Sequence, residues 1–334
     1  QFGAPNMAVD NADYMLGLYA SALIRDGGTL QIGIGCLGDA IVYFCQLRHQ
    51  QNALYQQMLS ELRVWEHHSE LIGQIGGVEP FEQGLYGSSE MFVNGFMYLY
   101  QSGILKRRVY DSIPLQRLLN EGAITEAVDE QTVRTLLERG VIPARLGEKD
   151  VEFLRQFGIF TDRVRYADGA LSIGGAAPVP ADLDQPETWA AVVANGLGSR
   201  LKGGIVMHGG FFMGPSSFYE TLHTLPEADS RQICLTTVKR TNHLYGNEEL
   251  ATLQRLDARF INTTIMVTLM GAAVSDGLEN GQVISGVGGQ YNFVAMAHEL
   301  PGARSILMLR STRESGLSVS SNIVWNYGHI TIPR

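Results

Sequence analysis

The 334-residue chain reads as an α/β protein, with two α/β stretches flanking a helical insertion. Three observations predict this. The first hundred residues run helix, strand, glycine turn, helix, which is an α/β unit. The last third alternates short apolar runs with helical ones, the pattern of a second α/β layer on a mostly parallel sheet. Between the two lies a more charged stretch of helical composition. The length suits two domains, each able to bury its own core.

In chain order, Asp10 caps a first helix running to about Ile24, with Met15, Leu18, Tyr19, Ala22 and Leu23 on one face. Asp26-Gly27-Gly28 ends it, and Thr29 to Ile34 reads as a short buried strand. After the glycines at 33 to 38, Asp39 opens a helical stretch to about His67. A second glycine-rich patch, Ile72 to Gly87, leads into Ser88-Ser89-Glu90-Met91. From Lys106 to about Gly175 one phrase recurs: Leu118-Leu119-Asn120-Glu121-Gly122, Leu136-Leu137-Glu138-Arg139-Gly140, and more loosely Leu154 to Gly158. The three glycines are eighteen residues apart. Three short helices, each closed by a glycine, produce that spacing. The Pro-rich Ala176 to Pro186 marks a boundary. Strands are then expected at Gly204–Met207, Ile233–Val238, Arg259–Val267, Gln282–Ile284 and Ser305–Leu309. Helices are expected at Phe218–His223, Glu248–Leu256 and Phe293–Glu299. The expected divisions are residues 1–105, 106–200 (insertion and linker) and 201–334.

Composition narrows the function. Glycine makes up 38 of 334 residues, about 11% against a usual ~7%, which implies many tight turns and close backbone approaches. A net charge of −9 argues against nucleic acid, whose phosphates demand clustered cations. Three widely spaced cysteines (Cys36, Cys45, Cys234) form neither a metal pattern nor a disulfide framework, so a cytoplasmic location is expected. There is no eighteen-residue apolar run, so no membrane association is expected. No metal is expected either: the only adjacent histidines are His67-His68, and no HExxH occurs.

Three glycine motifs carry possible chemistry. Gly33-Ile34-Gly35-Cys36-Leu37-Gly38 matches GxGxxG, yet Gln46 to Gln57 holds no acid to complete a dinucleotide fingerprint. A tight strand-to-helix turn is the preferred reading. His208-Gly209-Gly210 resembles an oxyanion loop, but no G-x-S-x-G elbow accompanies it. Ser285-Gly286-Val287-Gly288-Gly289-Gln290 places three glycines in four residues ahead of a helix. Its consecutive N–H groups can hold an oxyanion or a phosphate. On spacing alone a simple tight turn is an equal reading.

Ile284 to Phe293 resembles the glycine loop of the acetyl-CoA hydrolase/CoA-transferase family. The resemblance extends through Asn262-Thr263-Thr264 to Gly271, Arg304 to Leu309, and Thr331-Ile332-Pro333-Arg334. In the first half it covers Gly28 to Ala40 and Gly87 to Gly95. These patches bracket most of the chain and leave roughly 106–200 as an insertion found in the longer members. The resemblance implies two tandem open α/β domains, with an acyl-CoA site lined by Gly286, Val287, Gly288, Gly289, Gln290, Gly33 and Gly35. It also implies an acyl-CoA or CoA ligand together with a small carboxylate, no bound cofactor, and allows a homodimer.

In related transferases a glutamate attacks the thioester, giving an acyl-glutamyl anhydride and then a glutamyl-CoA thioester. That glutamate stands in a stretch reading Asn, two small residues, an apolar residue, Glu, Val, Asp, Leu, any residue, Gly. Here Met266 takes the glutamate's place and Thr268 the aspartate's. A thioether cannot ionise, so Met266 cannot form the anhydride. The family also continues past Pro-Arg, so the chain is expected to be a fragment. Two functions remain: a thioester hydrolase or CoA-transferase whose acid is now Glu90, acting as general base on water, or a non-catalytic CoA-binding protein. Asp276 and Glu279 lie near the loop, where Asp276-Gly277 and Asn280-Gly281 read as a turn with solvated acids.

Overall fold

The computed structural model describes residues 8–332. Pro333 and Arg334, which close the expected family resemblance, lie outside the described residues. The chain divides into two units, residues 1–108 with 205–334, and residues 109–204.

The first unit is built on one six-stranded parallel sheet. Its strands lie in the order Arg304–Met308, Arg259–Thr263, Thr29–Ile32, Tyr86–Val93, Met207–Met213, Ile233–Leu235. Thr29–Ile32 pairs with Tyr86 and Gly87 on one side and with Arg259 to Ile261 on the other. This changes the expected division. The stretches 1–105 and 201–334 do not each carry a parallel sheet of their own; both feed this one, because the buried run Thr29–Ile32 needs a partner on each edge. Its four residues are all buried, as a central parallel strand requires.

Leu30, Ile32, Ile41, Phe92, Phe96 and Ile261 pack together in the core under the sheet. Each such side chain contributes about 1.5–3 kcal/mol through burial. Two arginines, Arg48 and Arg259, are buried with them. They gather loop carbonyls that no strand satisfies. Arg259 donates to the carbonyls of Leu23, Asp257 and Gly302, at 2.9, 3.0 and 2.9 Å. Burial pushes Arg259 down to about 10. Hydrophobic pattern alone does not reveal such residues.

Asp10 caps the first helix, Asn11–Ala22, its carboxylate accepting from the N–H of Asp13 at 2.9 Å. The helical stretch expected from 39 to 67 is three helices, Cys36–Gln50, Asn52–Glu61 and Val64–Ile75. Arg63 breaks it with a left-handed φ of 58°, a conformation that side chains oppose and that tertiary contacts impose here. In the other direction, the strand expected at Ile233–Val238 is shorter, and Val238–Asn242 forms a single helical turn.

The second unit contains the helices Ile113–Asn120, Glu130–Glu138 and Glu148–Gln156. Gly122, Gly140 and Gly158 follow them at φ of 67°, 66° and 72°. These are the left-handed caps that the eighteen-residue spacing predicted. A three-stranded antiparallel sheet (Val164–Ala167, Ala170–Ile173, Val179–Pro180) completes the unit.

Candidate active site at the carboxyl ends of the sheet

Thr29–Ile32 connects toward the Tyr86 strand, whereas its neighbour Arg259–Thr263 connects toward the Arg304 strand on the opposite side. That reversal is a topological switch point, where open α/β sheets leave a crevice beyond the strand ends. The Gly33–Gly38 turn leaves the first of these strands. Gly35 has φ of 114° and heads the helix Cys36–Gln50, and no atom lies within 4 Å of where a side chain at Gly33 or Gly35 would begin. Gly38, by contrast, packs on the Gly33 carbonyl.

Glu90 rises beside this crevice. It lies in Tyr86–Val93, one residue beyond Ser89, whose hydroxyl donates to the carbonyl of Ile32 at 3.5 Å. One Glu90 oxygen, Oε2, accepts from Asn242 Nδ2 at 2.6 Å. Asn242 is buried, and its own oxygen accepts from the Thr241 hydroxyl at 2.9 Å, which fixes the amide with its nitrogen toward Glu90. The buried Arg255 steadies the same turn. Its Nε donates to Ser88 Oγ at 3.3 Å, and its terminal nitrogens donate to the carbonyls of His243 and Arg240.

The glycine loop meets the carboxylate from the other side. A Cβ at Gly289 would collide with Glu90 Oε2 and stand 2.5 Å from Asn242 Nδ2. A side chain at this position would have to displace the Glu90 carboxylate or the Asn242 amide. The loop itself differs from expectation in one respect: Gln282–Ile284 is not a strand, and Val283 makes only an isolated bridge to Gly277. The following helix begins at Gln290 rather than near Phe293. Gly286, Val287 and Gly288 are exposed, Gly288 with φ of 54°, while Gly289 and Gln290 are buried. Gln290 Nε2 donates to the carbonyl of Thr263 at 3.0 Å, seating the loop on the end of the sheet.

Other sequence candidates fall elsewhere. Met266 is buried in a small sheet (Met266–Thr268, Ala273–Val274, Ile323–Val324), and its sulfur accepts from Arg313 Nη1 at 3.3 Å. Its described contacts lie there rather than on the glycine loop. Asp276 is not a solvated turn acid. Its carboxylate accepts from Thr331 and pairs with His329 at 3.1 Å, and these bonds hold it below the usual carboxylate range. Its carbonyl also accepts the N–H groups of Ile284 and Ser285, so it anchors the base of the glycine loop. Glu279 accepts from the N–H of Gly328 at 2.8 Å.

His208 lies inside the strand Met207–Met213, with its Nδ1 2.8 Å from the Tyr86 hydroxyl, so His208-Gly209-Gly210 is sheet rather than an oxyanion loop. Cys36 is no ready nucleophile, since burial and then the neighbouring Asp13 push its thiol up. Asn242 and Arg255 were missed from sequence. Neither sits in a recognisable motif, and only the fold carries them to Glu90.

A parallel sheet with a carboxylate and a glycine loop meeting beyond its strand ends defines the class as an open α/β protein. More particularly, residues 214–334 match the acetyl-CoA hydrolase/transferase C-terminal domain. No curated protein matches the chain in sequence. Among solved structures, RipA from Yersinia pestis aligns at 17% identity and a TM-score of 0.50, over 99% of this chain and 44% of that one. A mutant form of RipA gives the same values. A 4-hydroxybutyrate CoA-transferase from Porphyromonas gingivalis aligns at 16% identity and a TM-score of 0.44, over 97% of this chain and 44% of that one. The RipA similarity supports the α/β fold, and the chain spans about 44% of the length of these structures. Among the described residues no helix is long and apolar enough to cross a membrane, and no cluster of three or more His, Cys, Asp or Glu can hold a metal ion.

Proposed function

We propose that this chain carries the thioester site of an acyl-CoA hydrolase or CoA-transferase acting on the CoA ester of a small carboxylic acid, with Glu90 as its catalytic carboxylate. The observation that supports this most is the packing of the Glu90 carboxylate onto Gly289, with Asn242 holding one oxygen. A carboxylate at a glycine loop pairs a base with backbone donors, the two elements acyl transfer needs. In the hydrolytic form Glu90 removes a proton from water, and the water oxygen bonds to the thioester carbon. The developing oxyanion is met by N–H groups of Gly286 to Gly289. The C–S bond then breaks, the departing thiolate takes the proton from Glu90, and the acid and CoA leave. Gly33 and Gly35, with open space above them, border the same crevice and are assigned to the ligand.

One observation favours the second reading, a CoA-binding protein without catalysis: Met266 is a buried thioether at the place where the family resemblance puts a nucleophile. Thiol release from short acyl-CoA esters separates the two. Hydrolysis lost in Glu90→Gln supports the enzyme. Binding of CoA without any thiol release from the wild-type chain supports the second reading and overturns the first.

A further inference from the structure

We propose that the groove between the helix Asn11–Ala22 and residues 309–314 binds a small zwitterion with an apolar side chain, an amino acid or a dipeptide. None of the residues assigned above to the thioester site lines it. The groove holds about 790 Å³, within the ~300–1,000 Å³ of small-molecule sites. One wall is apolar. Ala12, Met15, Leu16 and Tyr19 recur three and four residues apart, so they share one face of the helix, and Leu309 adds to them.

The charged groups of the groove divide into committed and uncommitted ones. Arg310 is committed: it pairs with Asp10 and with Asp13, each at 2.7 Å, so none of the three is counted toward a ligand. Arg313 keeps its charge. Its Nε donates to Ser320 Oγ at 3.1 Å and its Nη1 to the Met266 sulfur at 3.3 Å, both neutral acceptors. Among the described residues neither Arg313 nor its neighbour Glu314, which also lines the groove, makes an ion pair.

Asn322 is an independent sign of a ligand. It lines the groove and is only 7% exposed, yet its Oδ1 is a buried acceptor with no hydrogen-bond partner among the described residues. The amide cannot turn to cure this, because its Nδ2 donates to the carbonyl of Arg310 at 2.8 Å. Its backbone is held as well, by the carbonyl of Ser311 and the N–H of Val267. A buried acceptor without a donor is costly, and such groups are rare in folded proteins. A ligand N–H removes that cost. Together these groups select the ligand. An ammonium group supplies N–H donors to Asn322 Oδ1 and a counter-charge to Glu314. A carboxylate is the planar acceptor that the Arg313 guanidinium recognises. The apolar wall takes a side chain such as that of leucine or phenylalanine. A fatty acid lacks the donor, and a phosphate lacks the apolar body.

The test is calorimetric titration of the full chain with leucine, phenylalanine, leucylleucine and N-acetylleucine amide, which lacks both charges. It is repeated on Arg313→Met, which keeps the side-chain length and removes the charge, and on Asn322→Leu, which removes the unpartnered acceptor. Circular dichroism verifies that the variants fold. Arg313 is exposed, so its variant decides the test alone if Asn322→Leu does not fold. The expected result is binding of an amino acid or of the dipeptide, weakened about tenfold or more in each folded variant, as loss of a hydrogen bond to a charged group does. Tighter binding of leucylleucine identifies a peptide, and tighter binding of leucine or phenylalanine a free amino acid; either supports the proposal. Absence of binding by all three zwitterions at millimolar concentration overturns it. So does binding unchanged in a folded variant, or N-acetylleucine amide bound as tightly as leucine. Displacement of the bound zwitterion by CoA also overturns it, because the groove would then belong to the thioester crevice.

Discussion

Glu90 Oε2 fills the space that a side chain at Gly289 would need, although the two residues lie 199 positions apart in the chain. 

Gly289→Ala tests this contact. The backbone at 289 has φ of −86°, which alanine accepts, so any cost is steric. Overpacking of this kind costs about 1–3 kcal/mol. The expected result in urea denaturation is that loss, with much of it recovered when Glu90→Ala is added, because neighbouring residues are not additive. Equal losses in both backgrounds would show that Glu90 does not occupy that space in solution.

Glu90→Gln keeps the shape of the side chain and removes the base. Turnover of a short acyl-CoA should fall about 100-fold or more with the Michaelis constant little changed. Unchanged turnover would leave Glu90 a structural residue of its strand.

Met266→Glu places a carboxylate beside the Arg313 guanidinium, which favours its ionised form. Because Met266 is buried in the small sheet, incubation of the folded variant with acyl-CoA should leave residue 266 unmodified by mass spectrometry. A hydroxylamine-sensitive adduct on residue 266 would show that this position faces the thioester.

The buried carboxylate of Asp13 gives a pH signature. Burial raises its pKa, but the hydrogen bonds and charge of Arg310, at 3.1 and 2.7 Å, outweigh that and leave it below the usual value. The contribution to stability is therefore present above the ordinary carboxylate pKa and is lost as pH falls through the depressed value. Asp13→Asn should melt below wild type at pH 7, and the gap in Tm should narrow steadily on acidification below about pH 4. A gap independent of pH would remove the ion pair as its cause.

The sequence by itself determined what depends on neighbours along the chain. Asp10 as a cap, the glycine stops at 122, 140 and 158, and the turn after Ile32 were legible because capping and left-handed backbone are local demands. The glycine loop and Glu90 were both singled out from residues alone, through density of glycine and a family resemblance. That the two touch was not legible, since it depends on where the Tyr86 strand and the helix Gln290–Glu299 sit in the sheet. Tertiary structure also decided that residues from both ends of the chain share one sheet, because strand pairing is satisfied by whichever edge is near in space. It turned Gln282–Ile284 into loop, where Asp276 takes the N–H groups a strand would have offered to a partner. It placed Asn242 and Arg255 at the carboxylate, two polar residues whose burial is possible only because each finds its hydrogen bonds there.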